Sequence, residues 1–142
     1  MKSFRLFREV DGPPEVLYHA LVRVLQDAGT RAEPPLFVHV GASADGPAES
    51  VPVEVRAVSV AGIVNLRLKA HVTGGDFPFF QGTLETVESK GRGRCVRMRG
   101  TYLVPLARGR EQRSLQARRR AEAMLESFLE TLIDQAARVS VA

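Results

Sequence analysis

Cysteine is almost absent from this chain of 142 residues, in which Cys95 is the only one. A single cysteine excludes a disulfide within the chain and any metal site built from several thiolates. The chain also lacks an apolar run close to the roughly 20 residues that a membrane-spanning helix needs. Its first residues, MKSFRLFREVDG, contain neither a long apolar core nor a small-residue cleavage site. We therefore expect no secretory signal and a cytoplasmic location.

The composition is that of a globular protein, with 44% hydrophobic and 25% charged residues. A length of 142 residues suits one domain with one core. No internal repeat and no composition shift marks a second domain, so residues 1–142 are treated as a single domain.

Charge is unevenly distributed along the chain. Residues 90–120 hold 11 basic side chains and one acidic side chain, Glu111, whereas the remainder carries a net charge of −6. A basic face of this kind can contact an anionic partner or simply be solvated. The preference for arginine over lysine is also what a GC-rich, bacterial genome would produce.

The first third of the sequence predicts a strand followed by a helix. Residues 2–10 alternate between polar and apolar side chains, as in a strand. The following Asp-Gly-Pro-Pro-Glu places a proline in a first helical turn and Glu15 near the positive end of the helix dipole. The helix is expected to end near Ala28, before Gly29. Its apolar positions are Val16, Leu17, Ala20, Leu21, Val24 and Leu25.

After the helix, the sequence predicts five further strands, and the short connections between them favour antiparallel neighbours. Their expected ranges are 36–42, 51–60, 63–72, 79–88 and 94–104. Ala61 and Gly62 are a candidate two-residue hairpin turn.

The alternation of apolar and polar residues within these strands predicts a sheet with one apolar face and one solvent-exposed face. Three strands contribute to the apolar face. The residues concerned are Val64, Leu66, Leu68, Ala70 and Val72 of one strand, Phe80, Gly82, Leu84 and Thr86 of the next, and Val96, Met98, Gly100, Tyr102 and Val104 of the last. The two glycines on that face would either leave space above the sheet or allow it to bend.

The last thirty residues lack both proline and glycine and predict one long helix after a turn at 106–109. Its apolar stripe comprises Ala117, Ala121, Met124, Leu125, Phe128, Leu132 and Ala136, widened by Leu129 and Ile133. About 29 residues would extend roughly 43 Å, enough to cross a sheet. The predicted fold class is therefore α+β, with a curved antiparallel sheet wrapped around the C-terminal helix and a shorter N-terminal helical segment.

This order of elements resembles the helix-grip fold of the SRPBCC superfamily, which includes START-like, polyketide-cyclase-like and pollen-allergen-like proteins. The stretch VDGPPEVLY at 10–18 is similar to the family's first strand, turn and helix. FQGTLE at 80–85, GRCVRMRGTY at 93–102 and Pro105 are similar to a run common in bacterial members. The resemblance implies an apolar cavity between the sheet and the long helix. Members bind lipids, sterols, polyketides or other hydrophobic molecules, and some are cyclases or dehydratases.

The candidate cavity lining combines the inward strand phases with the helix stripe. It comprises Val64, Leu66, Leu68, Phe80, Leu84, Met98, Tyr102, Leu125, Phe128 and Leu132. Tyr102 is the leading polar candidate because an inward hydroxyl needs a partner. That partner would be a ligand carbonyl or, more simply, water or backbone. Tyr18 and Thr86 are weaker candidates of the same kind.

No catalytic residue, metal site or cofactor is predicted. His19, His39 and His71 all fall on polar phases and are expected to face water. Cys95 has no histidine or carboxylate partner in the pattern, so a surface or half-buried cysteine is expected. Sequence fingerprints of phosphate-binding loops, dinucleotide sites and serine hydrolases are missing.

The start of the last helix is a candidate contact for anionic lipid headgroups, with Leu115 as a shallow anchor. The residues concerned are Arg110, Arg113, Arg118, Arg119 and Arg120. The sequence argues against nucleic acid, because exposed aromatics interleaved with the basic residues are missing.

The sequence thus favours the binding of a hydrophobic small molecule, such as a lipid or polyketide. Two alternatives stay open: a polyketide cyclase or dehydratase-like enzyme in which Tyr102 orients a carbonyl, and a peripheral membrane or protein-interaction module that uses residues 90–120. The strand phases provide no inward acid or base for the enzyme alternative. The sequence does not indicate an oligomeric state or a specific ligand.

Overall fold

The computed structural model describes residues 2–10, 14–30, 36–41, 48–71, 77–89, 93–104 and 115–141. These residues form six strands and two helices. In chain order they are β1 (Lys2–Val10), α1 (Pro14–Thr30), β2 (Leu36–Val40), β3 (Glu49–Val60), β4 (Ile63–Ala70), β5 (Phe79–Ser89), β6 (Gly93–Leu103) and α2 (Leu115–Val141). The predicted order and type of every element are confirmed, with boundaries shifted by a few residues. The predicted turn at 106–109 lies outside the described residues.

The six strands form one antiparallel sheet in the order β1-β6-β5-β4-β3-β2. Consecutive strands from β2 to β6 are neighbours, as their short connections require. β1 is added beside β6, where Lys2 pairs with Tyr102 and Val10 pairs with Arg94. The sheet is strongly curled into a half-barrel, and the whole is an α+β helix-grip arrangement.

The hairpin between β3 and β4 has the predicted two-residue turn. Val60 pairs with Ile63, and Ala61 and Gly62 have φ angles of 54° and 80°. Positive φ at both central residues is the geometry whose twist matches that of the flanking strands.

The predicted alternation of the strands is confirmed. Val64, Leu66 and Leu68 are buried, whereas Asn65 and Arg67 between them are exposed. We call the face that carries the buried side chains the inner face, and the opposite one the outer face. The core lies between the inner face and the two helices, and it contains no fully buried charged residue among those described.

Gly82 and Gly100 face each other across β5 and β6. A Cβ atom built on Gly82 would lie 2.1 Å from the carbonyl oxygen of Arg99 and 2.8 Å from the ring tip of Phe80. A Cβ on Gly100 would lie 2.3 Å from the carbonyl oxygen of Gln81. Of the two roles expected for these glycines, the structure therefore supports close backbone approach in a bent sheet. It does not support open space above them.

The helices cover the inner face with their apolar stripes. Most of the predicted α2 stripe is buried, with Ala117 and Ile133 half-buried, and α1 packs against both α2 and β3. With 27 residues, α2 extends about 40 Å. Val16 departs from the expected stripe of α1, since it is 49% exposed in the first turn of the helix. Neither described helix combines the length and apolar character needed to cross a bilayer.

Cys95 is buried, at 2% exposure, so the expected surface or half-buried cysteine is wrong. It alternates onto the outer face as predicted, but β6 lies between two other strands. Cys95 pairs with Glu9 of β1 on one side and Val87 of β5 on the other. A small side chain in a central strand is buried by the longer side chains of the neighbouring strands. The alternation along a strand predicts which face a residue lies on, but it does not predict this burial.

Candidate ligand-binding site

The predicted cavity residues come together in one contiguous apolar cluster. Each of them is at most 2% exposed, and they are contributed by β4, β5, β6 and α2. The set is Val64, Leu66, Leu68, Phe80, Leu84, Met98, Tyr102, Leu125, Phe128 and Leu132. Their shared burial against α2 confirms their inward phase. That they line a ligand cavity stays a prediction.

Aromatic packing orients the Tyr102 ring within this cluster. The ring of Phe4 meets those of Phe80 and Tyr102 edge to face, with centroids 6.2 Å apart in both pairs. Such edge-to-face contacts are the preferred geometry of aromatic pairs. Phe4 was not among the predicted site residues, because only the pairing of β1 with β6 brings it to Tyr102.

The Tyr102 hydroxyl donates a hydrogen bond of 2.6 Å to the Oε2 atom of Glu122 on α2. Arg118, one helical turn before Glu122, brings a positive charge close to the same hydroxyl. The partner is therefore a side chain and not the water or backbone expected from the sequence, and the site does contain an acidic group. The strand phases could not reveal it because the helix supplies it. The available signal was the spacing of Arg118 and Glu122 by four residues, which places them on one helix face.

The pKa of Tyr102 is raised to about 12, first by burial and then by the hydrogen bond to the Glu122 carboxylate and its negative charge. Arg118 opposes this shift only in part. Burial and a nearby negative charge both disfavour the tyrosinate. The hydroxyl therefore stays protonated at neutral pH and acts as a donor.

We expect this tyrosine to make the protein lose stability in alkaline solution. Because the folded pKa of about 12 lies above the unfolded value near 10, the stabilisation is complete below about pH 10 and is lost as the pH rises through 12. The free energy of unfolding should fall by about 2–3 kcal/mol across this range. Urea denaturation at several pH values measures the loss, which Tyr102→Phe should reduce. In a Tyr18→Phe variant, tyrosinate absorbance reports Tyr102 alone, and a midpoint near 10 in the folded protein would contradict the assignment.

Arg118 is half-buried, and its Nε atom is buried without a hydrogen-bond acceptor among the described residues. Of the other predicted anion contacts, Arg119 is exposed, and Arg120 is half-buried and forms an ion pair with Glu49 of β3. Arg110 and Arg113 lie outside the described residues. Leu115, the expected anchor, is exposed at the start of α2. The role of these residues as a lipid contact stays a prediction.

The remaining candidates lie away from Tyr102. All three histidines are exposed, as predicted, and His71 lies beside Glu54. The Tyr18 hydroxyl hydrogen-bonds Ser59, tying α1 to β3 near the surface. Thr86 is half-buried on β5.

Comparison with known proteins yields structural likeness only. No model of a protein family matches the sequence, and no curated protein matches it. The crystal structure of TTHA0849 from Thermus thermophilus aligns with 98% of this chain and 99% of its own, at 18% identity and a TM-score of 0.50. MLL2253 from Mesorhizobium loti aligns with 96% of this chain and 98% of its own, at 18% identity and a TM-score of 0.47. The Zhui aromatase/cyclase from Streptomyces sp. R1128 aligns with 96% of this chain and 94% of its own, at 15% identity and a TM-score of 0.48.

Identities this low bear on the fold alone. Together with the curled six-stranded sheet closed by α2, the likeness over nearly the full length confirms the expected architecture. The chain has the helix-grip fold that the resemblance of its sequence implied.

Proposed function

We propose that the protein binds a hydrophobic small molecule between the inner face of the sheet and α2, and that Tyr102, Glu122 and Arg118 orient it. The observation that supports this best is a polar trio in an otherwise apolar interior. The trio contains a tyrosine hydroxyl held neutral and an arginine Nε donor that is buried without an acceptor among the described residues. Residues with strongly perturbed pKa values in a buried setting are candidates for a functional site.

The chemistry of the trio indicates what the ligand carries. A buried N–H group without an acceptor costs about 1–3 kcal/mol. A ligand oxygen from a carbonyl or carboxylate group would satisfy the Arg118 donor, while an apolar body would pack against residues such as Met98 and Phe128. The proposed ligand is therefore amphipathic, with an oxygen-bearing end and a hydrocarbon or aromatic body.

The geometry favours binding over catalysis. A general base must lose its proton near the working pH, whereas the pKa of Tyr102 is raised to about 12. The Tyr102 hydroxyl also already donates its proton in the hydrogen bond to Glu122. Tyr102 is suited to hold a polar group in place. The site offers the cyclase or dehydratase alternative one acidic group, Glu122, whose carboxylate already accepts the hydrogen bond from Tyr102.

The alternative of a peripheral module using residues 90–120 is weaker for a similar reason. Arg118 turns toward Tyr102, and Arg120 forms an ion pair with Glu49. Two of the three described arginines predicted to contact lipid are thus engaged within the protein. Flotation with anionic vesicles would still detect such binding, which should weaken as salt is raised.

Native mass spectrometry and titration of the delipidated protein with a dansyl-labelled fatty acid test the proposal. The fatty acid has a carboxylate end that suits Arg118. We expect binding to the unchanged protein and an affinity about tenfold weaker for Arg118→Gln, since hydrogen bonds to charged groups contribute about 1.5–3 kcal/mol.

Arg119→Gln is the matched control, because it removes the same charge from an exposed neighbour on the same helix. Its affinity should stay within about twofold of the unchanged protein. Melting temperatures of both variants confirm that they are folded. Equal losses for the two variants, or no binding by the delipidated protein, would refute the proposed site.

A further inference from the structure

The outer face of the sheet carries a concentration of positive charge that the proposed ligand site does not use. Arg56 of β3 lies directly opposite Arg67 of β4, and Arg5 of β1 lies directly opposite Arg99 of β6. All four side chains are exposed. Like charges in directly opposed positions destabilise a sheet. The sheet nevertheless places two such pairs on the same face, separated by β5.

These arginines border two adjoining depressions that together we call the arginine groove. One has a volume of about 620 Å³ and includes Arg56 and Arg67 in its lining; the other has about 630 Å³ and includes Arg5 and Arg99. Each volume is within the usual range for a small-molecule site. The remaining lining residues are mostly polar or glycine: Ser3, Asn65, Gln81, Gly82, Thr83, Gly100 and Thr101, together with Phe4, Val58 and Leu66.

None of the described residues that line the two depressions is acidic. Among the described residues, the ion pairs of the outer face lie beyond the groove, where Glu54 binds Lys69 and Glu85 binds Arg97. The pKa of Arg97 is lowered, first by burial and then by repulsion from Arg99 and Arg5. The positive electrostatic potential of Arg5 and Arg99 therefore acts on the neighbouring Arg97 guanidinium, as expected where nearby negative charge does not balance it.

We propose that the arginine groove binds a soluble compound carrying at least two phosphate groups. Guanidinium groups match phosphate oxygens with two parallel hydrogen bonds, and the hydroxyl and amide groups of Thr83, Thr101 and Gln81 add further donors. From the register of β4, β5 and β6, the Cα atoms of Arg67 and Arg99 are about 12 Å apart. Long arginine side chains can thus hold two phosphates of one small molecule.

The lining of the groove bears on the choice between a small anion and larger partners. Phe4 is the one aromatic residue among the described lining residues, and it is buried on the inner side. The described part of the groove therefore offers no exposed ring on which a nucleic-acid base could stack. This site lies on the opposite side of the sheet from Tyr102 and does not depend on the function proposed above.

Calorimetric titration with inorganic triphosphate tests the proposal on the full chain. We expect binding at low salt that weakens as salt is raised. The double variant Arg67→Gln/Arg99→Gln should bind triphosphate at least about tenfold more weakly. Its melting temperature should be unchanged or higher, because the variant removes one member of each like-charge pair.

Arg23→Gln/Arg138→Gln is the control, since it makes the same change in net charge at exposed positions on α1 and α2. Its affinity for triphosphate should stay within about twofold. An equal loss in both double variants would show attraction to net charge alone and would overturn the site. Failure of the unchanged protein to bind triphosphate at low salt would also overturn it.

Three further probes test the class of ligand. Inorganic orthophosphate should bind more weakly than triphosphate, because one phosphate cannot reach both arginine pairs. Vesicles containing phosphatidylinositol bisphosphate, and a single-stranded oligonucleotide, should bind no better than triphosphate does. If either bound through Arg67 and Arg99 and triphosphate did not compete, a membrane or nucleic-acid surface would replace the soluble ligand.

Discussion

Gly82→Ala is expected to destabilise the protein by about 3 kcal/mol or more, or to prevent folding. The new methyl group would lie 2.1 Å from the carbonyl oxygen of Arg99 and 2.7 Å from the Cα atom of Gly100. Both are backbone atoms of the paired strand β6, so no side-chain rotation can relieve the contact. The two strands would have to separate at the centre of the sheet, breaking the register that places Phe80 opposite Tyr102. Chemical denaturation measures the loss.

Gly41→Ala is the matched control for this substitution. Gly41 follows β2 and is exposed, and no atom of the described residues lies within 4 Å of a Cβ built on it. The same addition of one methyl group should change the free energy of unfolding by less than about 0.5 kcal/mol. If Gly82→Ala were as mild as Gly41→Ala, the close approach of β5 and β6 would be wrong.

Phe128→Ala is expected to cost about 3–5 kcal/mol of stability. Phe128 lies at the middle of α2 with 0% exposure, inside the cluster formed by the inner face and both helices. Removing its ring takes away the transfer free energy of a buried aromatic and leaves a cavity that a close-packed interior refills only in part. The measurement is again denaturant unfolding, compared with the unchanged protein.

Phe37→Ala supplies the same chemical change at the surface. Phe37 lies on the edge strand β2 and is 41% exposed. Its loss should cost about 1 kcal/mol, well below that of Phe128→Ala. If the two variants lost equal free energy of unfolding, the apolar stripe of α2 would not pack against the sheet. The proposed ligand site, which lies between α2 and the sheet, would then be wrong.

Phe128 is also one of the predicted cavity residues, so its two roles need separate readouts. Stability is measured by unfolding, and ligand binding by titration with the dansyl-labelled fatty acid at a temperature where the variant is folded. Within the proposed function, the added space is expected to alter affinity even where the fold is retained. An affinity that does not change would place the bound fatty acid away from α2.

The main features of the fold could be predicted because their signals are local. A period of two residues identifies the inward phase of Val64, Leu66 and Leu68 before any partner strand is known. A period near 3.6 does the same for Met124, Phe128 and Leu132 on α2. The periodic positions are expected to be buried, because an amphipathic strand or helix is stable only when its apolar face packs against another part of the protein.

The details of the candidate site depended on contacts that no local pattern encodes. An apolar pattern does not include Glu122, because this acidic residue lies on the margin of the α2 stripe. Its meeting with Tyr102 is set by how α2 crosses β6. Phe4 joined the site through the pairing of the first strand with the last.

From sequence alone follow the α+β class, the order of the elements, the faces of the strands and helices and the expectation of a helix laid on a sheet. All of these depend on side-chain periodicity over ten or twenty residues. The tertiary structure alone decided the burial of Cys95, the close contact of Gly82 with Gly100, the Tyr102–Glu122 hydrogen bond and the opposition of Arg5 with Arg99. Each of these depends on the register and crossing of segments far apart in the chain, where the free energy of packing selects one arrangement from many that share the same local pattern.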